Sequence, residues 1–413
     1  MSSFHVLITG GGIGGLCLAQ GLRKAGISCA VYERDPAVLA SGYRLHMNGD
    51  GGRALRQCLP EPLYELYMQT SRTTPRRELL VELDHLGNEL GTRPHIGPPN
   101  DPERPHTAVN RRTLRQIMAA GLEDILHFGR TATGCEADDA AGSDGGGGVR
   151  LLFEDGSSVT GDVLVAADGI NSVIRTQLLP DVPVVDTGMR CLYAFAPLTD
   201  DLAAVLPDAV YDGFTLASGP NGALFAYGVF QPRRPVAVAV ADLAPGAAVD
   251  PVAPYVMAAL YTPVDSGLVP GDEELRTASA PARHDLMRAA VRGWHPGLVA
   301  LTDQVDPSSI RPVSVRRLEP AEPWPTSRVT FLGDAIHAMP PTFGAGANTA
   351  LRDAASLTGA LSGVVHDGVP LLEAIAAYEA DMRAEVFPIL RAAADPRATD
   401  PDFLPDDLTV AGH

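Results

Sequence analysis

Three stretches of this chain carry residue types at spacings that could do chemistry. The first is Gly10-Gly11-Gly12-Ile13-Gly14-Gly15, which satisfies G-x-G-x-x-G at Gly10, Gly12 and Gly15 directly after the apolar run Phe4-His5-Val6-Leu7-Ile8. Gly10 permits the tight turn, Gly12 lets the backbone approach a pyrophosphate without a Cβ in the way, and Gly15 lets the following helix pack closely on the strand. The anion would then rest on unpaired N–H groups at the helix start. Ser28 to Glu33 reads as a second strand with Glu33 at an exposed tip, where an acid accepts ribose hydroxyls, and Arg34 after it is a further cofactor-binding candidate. An acid there disfavours a ribose 2′-phosphate, so the tightly held ligand expected is FAD or NAD rather than NADP. The second stretch is Asp168-Gly169, with Ser172 and Arg175 after it, and the third is Gly333-Asp334, with His337 and Pro341 close behind. Each ends an apolar run that reads as a buried strand, and ligands in open α/β sheets bind outside the carboxyl ends of strands.

The elements that must position these residues follow from periodicity. A helix is expected from Ile13 to Ala25, strands from Asp162 to Ala167 and Arg328 to Leu332, and helices from Gly344 to Val365 and Leu371 to Leu390. A short strand from Arg44 to Asn48 puts Arg44 and His46 on one face, where they are candidates for the cofactor channel and for chemistry. Glu78 to Leu83 and Glu89 to Thr92 form a hairpin, followed by a proline-rich loop from Pro94 to Pro105 and a helix opening at Arg111. Between about Asp181 and Pro307 the pattern changes to strands and loops, including Arg190 to Ala196, Ala223 to Phe230 and Pro235 to Leu243. Phe225 and Tyr227 alternate onto one face there, as pocket wall or as core. Ala137 to Gly148, with four successive glycines, reads as a hairpin tip, and the chain from Asp395 as a frayed tail.

Composition narrows the chemistry. Among 413 residues, Lys24 is the only lysine, which sets aside Schiff-base and pyridoxal enzymes and a P-loop phosphate grip; on the first helix it reads as a solvated residue. The five cysteines are an odd number without a C-x-x-C, so neither a disulfide framework, a zinc site nor a redox pair beside a flavin is indicated, and no metal is expected. A formal net charge of −18 disfavours nucleic acid and anionic membranes as partners. No apolar run reaches the roughly 18 residues of a membrane span. A cytoplasmic protein acting on a small molecule, as monomer or homodimer, is the expectation.

Taken in order, Gly10 to Gly15 with Glu33, then Asp168-Gly169-Ile170-Asn171-Ser172-Val173-Ile174-Arg175, then Gly333-Asp334-Ala335-Ile336-His337 through Pro341, Gly344, Gly346, Asn348 and Asp353, resemble one family. It is the class A flavoprotein monooxygenases with the fold of para-hydroxybenzoate hydroxylase. The resemblance covers about residues 4 to 365, with Ile336 where that family usually has alanine. It implies an α/β fold in which a Rossmann-like FAD-binding domain carries an inserted β-sheet-rich substrate domain and C-terminal helices. The cofactor domain would comprise residues 1–180 and 308–365, with 76–105 contributing to the substrate side. Residues 181–307 would be the substrate domain, 366–395 a C-terminal helix and 396–413 a tail.

The resemblance also implies roles. Glu33 would hold the adenosine ribose, Arg111 the flavin phosphates and Asp334 the ribityl chain. Asp168, Gly169 and Arg175 would border FAD and a transient NADPH or NADH. A helix N-terminus at Gly344, Gly346, Ala347 and Asn348 would face the negative end of reduced flavin, with Pro341 stiffening the wall beside it. Such enzymes reduce bound FAD with NAD(P)H, add O2 to give a C4a-hydroperoxide and hydroxylate an aromatic or polycyclic molecule. No protein nucleophile is required; Arg44, His46, His337 and Pro341 are the candidates for assisting, His337 more as a structural residue. Substrate-specific acids or bases would lie in the middle domain. Epoxidation, Baeyer–Villiger insertion and a non-redox FAD-binding cyclase or binding protein are the alternatives. A flavin halogenase does not fit, since Trp294 and Trp324 lie in no W-x-W-x-I-P element.

Overall fold

A computed structural model describes residues 4–38, 43–95, 97, 106–137, 147–341 and 344–395. Most of the proline-rich loop, the glycine tip and the tail lie outside these residues. The cofactor side is built on a parallel sheet whose strands run in the order Val329–Phe331, Val163–Ala166, His5–Thr9, Ser28–Tyr32 and Leu126–His127. These strands are apolar along most of their length because helices and a second layer cover both faces. Helix Ile13–Lys24 packs against the long helix Gly346–Asp367, which also packs on helix Gly49–Cys58. Helix Leu371–Ala394 runs beside Gly346–Asp367. Lys24 is exposed, as expected, and its ammonium also donates to the carbonyls of Gln57 and Leu59 at the end of Gly49–Cys58.

The second side is a seven-stranded sheet, ordered Arg311–Leu318, Val184–Pro197, Tyr255–Pro263, Leu224–Phe230, Phe214–Ser218, Leu80–Asp84 and Glu89–Arg93. It draws strands from three separate parts of the chain. The strand Arg311–Leu318, placed with the cofactor domain by the sequence division, pairs antiparallel with Val184–Pro197, so this sheet extends past residue 307. One face buries Leu192, Ala194, Ala258 and Leu260 against helices Ala280–Ala290 and Pro296–Asp303. Phe225 and Tyr227 belong to that core, and Phe225 lies edge-on to Trp294 at 6.3 Å. The opposite face carries Cys191, Tyr193, Met257, Ala259, Tyr261, Val313 and Val315, offset by one residue, as the period of a strand requires.

Pro235 to Leu243 corrects the sequence expectation of a strand. Val236–Leu243 is a helix started by Pro235, and its buried residues Val236 and Ala239 stand three apart, facing helix Glu61–Thr70. The alternating Val-Ala sequence satisfies period two in isolation, but contact with a neighbouring helix selects the i, i+3 pairing. Among the described residues no helix is long and apolar enough to cross a membrane, and all five cysteines are buried thiols.

Candidate functional site

The strand order brings the three sequence motifs together. His5–Thr9, Val163–Ala166 and Val329–Phe331 are adjacent and parallel, so Gly10, Asp168 and Gly333 emerge at one edge of the sheet. A cavity of about 560 Å³ opens there and extends across to the offset face of the seven-stranded sheet. Of the expected residues, Gly12, Gly14, Arg44, His46, Arg111, Gly169, Gly333, Asp334, Pro341, Gly344, Gly346 and Ala347 line it.

The glycines of the first turn divide into two kinds. A Cβ on Gly10, where φ is +94°, would stand 2.3 Å from the Ala167 carbonyl oxygen; one on Gly15 would stand 2.1 Å from the Gly10 oxygen, and one on Gly14 2.2 Å from Leu332 Cδ2. Those three are demanded by the protein's own packing. A Cβ on Gly12 would meet nothing within 4 Å and would project into the cavity. Gly12 caps helix Ile13–Lys24 without a side chain, leaving the first N–H groups for an anion.

Glu33 does not end an exposed tip. It is 8% exposed, and its carboxylate accepts from Gly11 N–H at 2.8 Å and from Asp35 N–H at 3.0 Å. Arg115, which the motif reading missed, donates through Nη2 and Nε to the Gly11 carbonyl and lies 3.8 Å from Glu33. The acid therefore shapes the turn as well as offering lone pairs beyond it. Glu33→Ala is expected to lower flavin affinity about tenfold or more, since charge-assisted hydrogen bonds are worth roughly 1.5–3 kcal/mol. Flavin released on dialysis measures it, and undiminished retention would show that Glu33 holds neither turn nor ligand. Arg34 is exposed and outside the cavity lining.

Asp334 is open to the cavity yet enclosed deep in protein, and burial raises its carboxyl above the usual range against the pull of His337 and Arg111. Arg111 donates its backbone N–H to the Tyr43 carbonyl at 2.8 Å and packs its guanidinium, which has no hydrogen-bond partner among the described residues, over the Tyr43 ring at 5.2 Å. Asp168 accepts from Val173 N–H at 3.1 Å through Oδ2, while its buried Oδ1 has no partner among the described residues; burial raises this carboxyl too. Arg175 is not a groove residue. It is 2% exposed and ties the second motif to the third by donating to the Ala335 and Ile170 carbonyls, each at 2.9 Å. Asn348 is likewise occupied: its amide donates to the His46 and Gly344 carbonyls and its oxygen accepts from Asn48 N–H, so it sets the wall without lining it. His337 lies outside the lining, buried against Asp353.

The cofactor side fits the expected dinucleotide. Gly12 leaves a cradle that a Cβ would fill, Arg111 offers a cation to phosphate, Asp334 an acceptor, and Gly346-Ala347 an uncapped helix start. On the opposite side the wall is mostly apolar and aromatic, with one polar end made by Arg44, His46 and His95. Arg44 donates to the Gly213 carbonyl and lies over the Phe214 ring at 5.7 Å; burial lowers its pKa. The imidazoles lining the cavity are those of His46 and His95, and the guanidinium groups those of Arg44, Arg111, Arg311 and Arg316; the middle domain adds the phenols of Tyr193 and Tyr261.

Comparison with known proteins agrees with this geometry. A family profile described as FAD binding domain matches residues 144–387. The chain is 33% identical over 396 residues to the dual O-methyltransferase/FAD-dependent monooxygenase of Cercospora beticola, covering 92% of this chain but 44% of that protein. It therefore spans less than half the length of that curated relative. It is 27% identical over 379 residues to an FAD-dependent urate hydroxylase of Mycolicibacterium vanbaalenii, covering 91% and 83% of the two chains. A crystal structure from Photorhabdus luminescens, assigned as an FAD containing monooxygenase, superposes with a TM-score of 0.77 at 33% identity, over 96% of this chain and 99% of the other.

Proposed function

Since the chain belongs to the single-component FAD-dependent monooxygenases, we propose that it hydroxylates an aromatic or polycyclic small molecule held between its two sheets, using NADPH or NADH and O2. The observation that carries this reading is the single cavity that joins the dinucleotide turn to an aromatic-lined sheet face. FAD, when bound, supplies hydride acceptance from the nicotinamide and the activation of O2.

The chain's own residues hold and orient. The N–H groups after Gly12 would receive the pyrophosphate, Arg111 would neutralise it, Glu33 would take the adenosine ribose and Asp334 a hydroxyl of the ribityl chain. The uncapped start of helix Gly346–Asp367 would offer backbone N–H groups and a favourable dipole to negative charge on the reduced cofactor. Pro340 and Pro341 keep the adjoining wall stiff and Tyr193, Met257 and Tyr261 keep the substrate space apolar, so that water is excluded from it. A flat apolar molecule fits the sheet face, and its oxygen substituents find donors at Arg44, His46 and His95. The sequence has one dinucleotide turn, so the nicotinamide would dock transiently.

The test is a spectrum of the purified protein, then anaerobic NADPH or NADH addition with candidate phenols and quinones, then air. Expected are a bound-flavin spectrum, bleaching of the flavin band that is faster with the true substrate, and a product heavier by one oxygen atom. Flavin that no nicotinamide bleaches under any condition would replace this reading with a non-redox FAD protein.

A further inference from the structure

At the polar end of the cavity, His46 belongs to a group of side chains that reaches behind the lining. His46 comes from strand Arg44–Met47, Glu78 from the segment leading into strand Leu80–Asp84, and His106 from the residue before strand Thr107–Asn110. One ring nitrogen of each histidine and one carboxylate oxygen of Glu78 lie within 4.8 Å of one another. The His46 side chain is 6% exposed, and neither of its ring nitrogens has a hydrogen-bond partner among the described residues. Buried polar atoms are normally paired, and an orphaned one points to a water or ion that completes the site. Burial, reinforced by His95, His106, Arg44 and Arg72, pushes the His46 pKa well down.

Burial pushes the Glu78 carboxyl up, but His95 and Arg72 outweigh this and hold it below the ordinary range. Arg72 Nη2 donates to Oε2 at 3.0 Å and to Oε1 at 3.3 Å, and Oε1 is also the oxygen nearer the imidazoles: His46 Nδ1 is 3.9 Å away and His95 Nε2 3.4 Å. The His95 ring stacks on His46 at 3.8 Å between centroids. Partners of this kind, behind a ligating carboxylate and imidazole, fix ligand orientation in metal sites.

We infer that His46, Glu78 and His106 bind a divalent transition ion of the Zn2+ class at the polar end of the cavity. Two imidazoles and one carboxylate suit such an ion, whereas Mg2+ and Ca2+ take oxygen ligands. Bonds of about 2.1 Å require ligand atoms closer than the present spread, so the ion draws the three side chains together. Arg72 and Arg44 lie beside it, and their charge makes this an exchangeable rather than a permanently held ion. The sequence offers no motif for it, because the ligands are separated by about thirty residues each and share no helix or turn.

The flavin-loaded protein, with any affinity tag removed, is dialysed with Zn2+ and its metal content counted, and Co2+ is added in parallel as a visible-band probe. Expected are one equivalent of Zn2+ per chain, Co2+ bands that Zn2+ abolishes, and a loss of about tenfold or more in Zn2+ affinity in His106→Asn with flavin still bound. Zn2+ content at background in the wild type, or unchanged affinity in a folded His106→Asn, overturns the site. If that variant fails to fold, the wild-type Co2+ titration decides alone: bands that Zn2+ does not displace, or no bands, refute it.

Discussion

Gly12→Val is expected to yield a folded protein without flavin. The added side chain enters the cavity where a Cβ meets no protein atom within 4 Å, so the chain itself has no reason to object. What it obstructs is the approach of a pyrophosphate to the backbone and to the helix N–H groups. Gly10→Val makes the contrast: its Cβ would sit 2.3 Å from the Ala167 oxygen on a backbone with φ of +94°, and no folded protein should be recovered. Thermal unfolding and the flavin absorbance of the two variants separate the roles. A Gly12→Val protein as yellow as the wild type would mean that no phosphate rests on this turn, and the FAD assignment at Gly10 to Gly15 would fall with it.

The second large effect concerns the pair His337 and Asp353, which are 0% and 1% exposed with Nε2 and Oδ2 2.6 Å apart. The same carboxylate oxygen accepts from Gly333 N–H at 3.0 Å, so it anchors the turn that presents Asp334 to the cavity. Asp353→Ala is expected to cost about 3–5 kcal/mol, because it breaks a buried pair and leaves the His337 ring and the Gly333 N–H without their acceptor. Flavin binding should weaken as well, since the Gly333 turn loses its tether. Burial pushes the His337 pKa down, but Asp353, by charge and hydrogen bond, and Asp334 more than compensate, and it ends above 6.5. A folded pKa above the unfolded one contributes stability that is complete below about 6.5 and is lost as pH rises through the folded value. Denaturation midpoints of the wild type should therefore fall over that window, and Asp353→Asn should remove this part of the slope. Equal midpoints and slopes in both proteins would show that the pair contributes nothing. His337 acts here as a positioning residue, through Asp353 and the Gly333 turn, rather than on a substrate.

The substrate wall shows where reading the chain fails. Arg190 to Ala196 reads as a strand in the sequence, but a buried strand carries apolar residues on both faces, as Tyr255–Pro263 does along nearly its whole length. Nothing local says that Tyr193 and Tyr261 face a cavity while Leu192 and Leu260 face helices. Phe225 and Tyr227 could be wall or core until Trp294 is seen packed beside Phe225. His95 and His106 sit on either side of a proline-rich stretch with no periodicity at all, and their meeting with His46 and Glu78 depends on two strand pairings far apart in sequence.

By itself the sequence determined the local chemistry: a glycine turn between strand and helix, an acid at the end of the next strand, and two further strand ends carrying Asp168-Gly169 and Gly333-Asp334. These are legible because a turn's sterics and a strand's hydrophobicity depend on neighbours within a few residues. Tertiary structure decided what the motifs do together. Parallel pairing of His5–Thr9 with Val163–Ala166, and of that strand with Val329–Phe331, gathers three loops from residues 10, 168 and 333 into one wall. It also turned Glu33 inward onto Gly11, took Arg175 and Asn348 out of the lining to tie loops together, and set the histidines at the polar end. Those outcomes rest on contacts between residues 20 to 300 apart, whose energies are comparable for many alternative partners until the whole core closes and leaves one arrangement in which the buried polar groups are met.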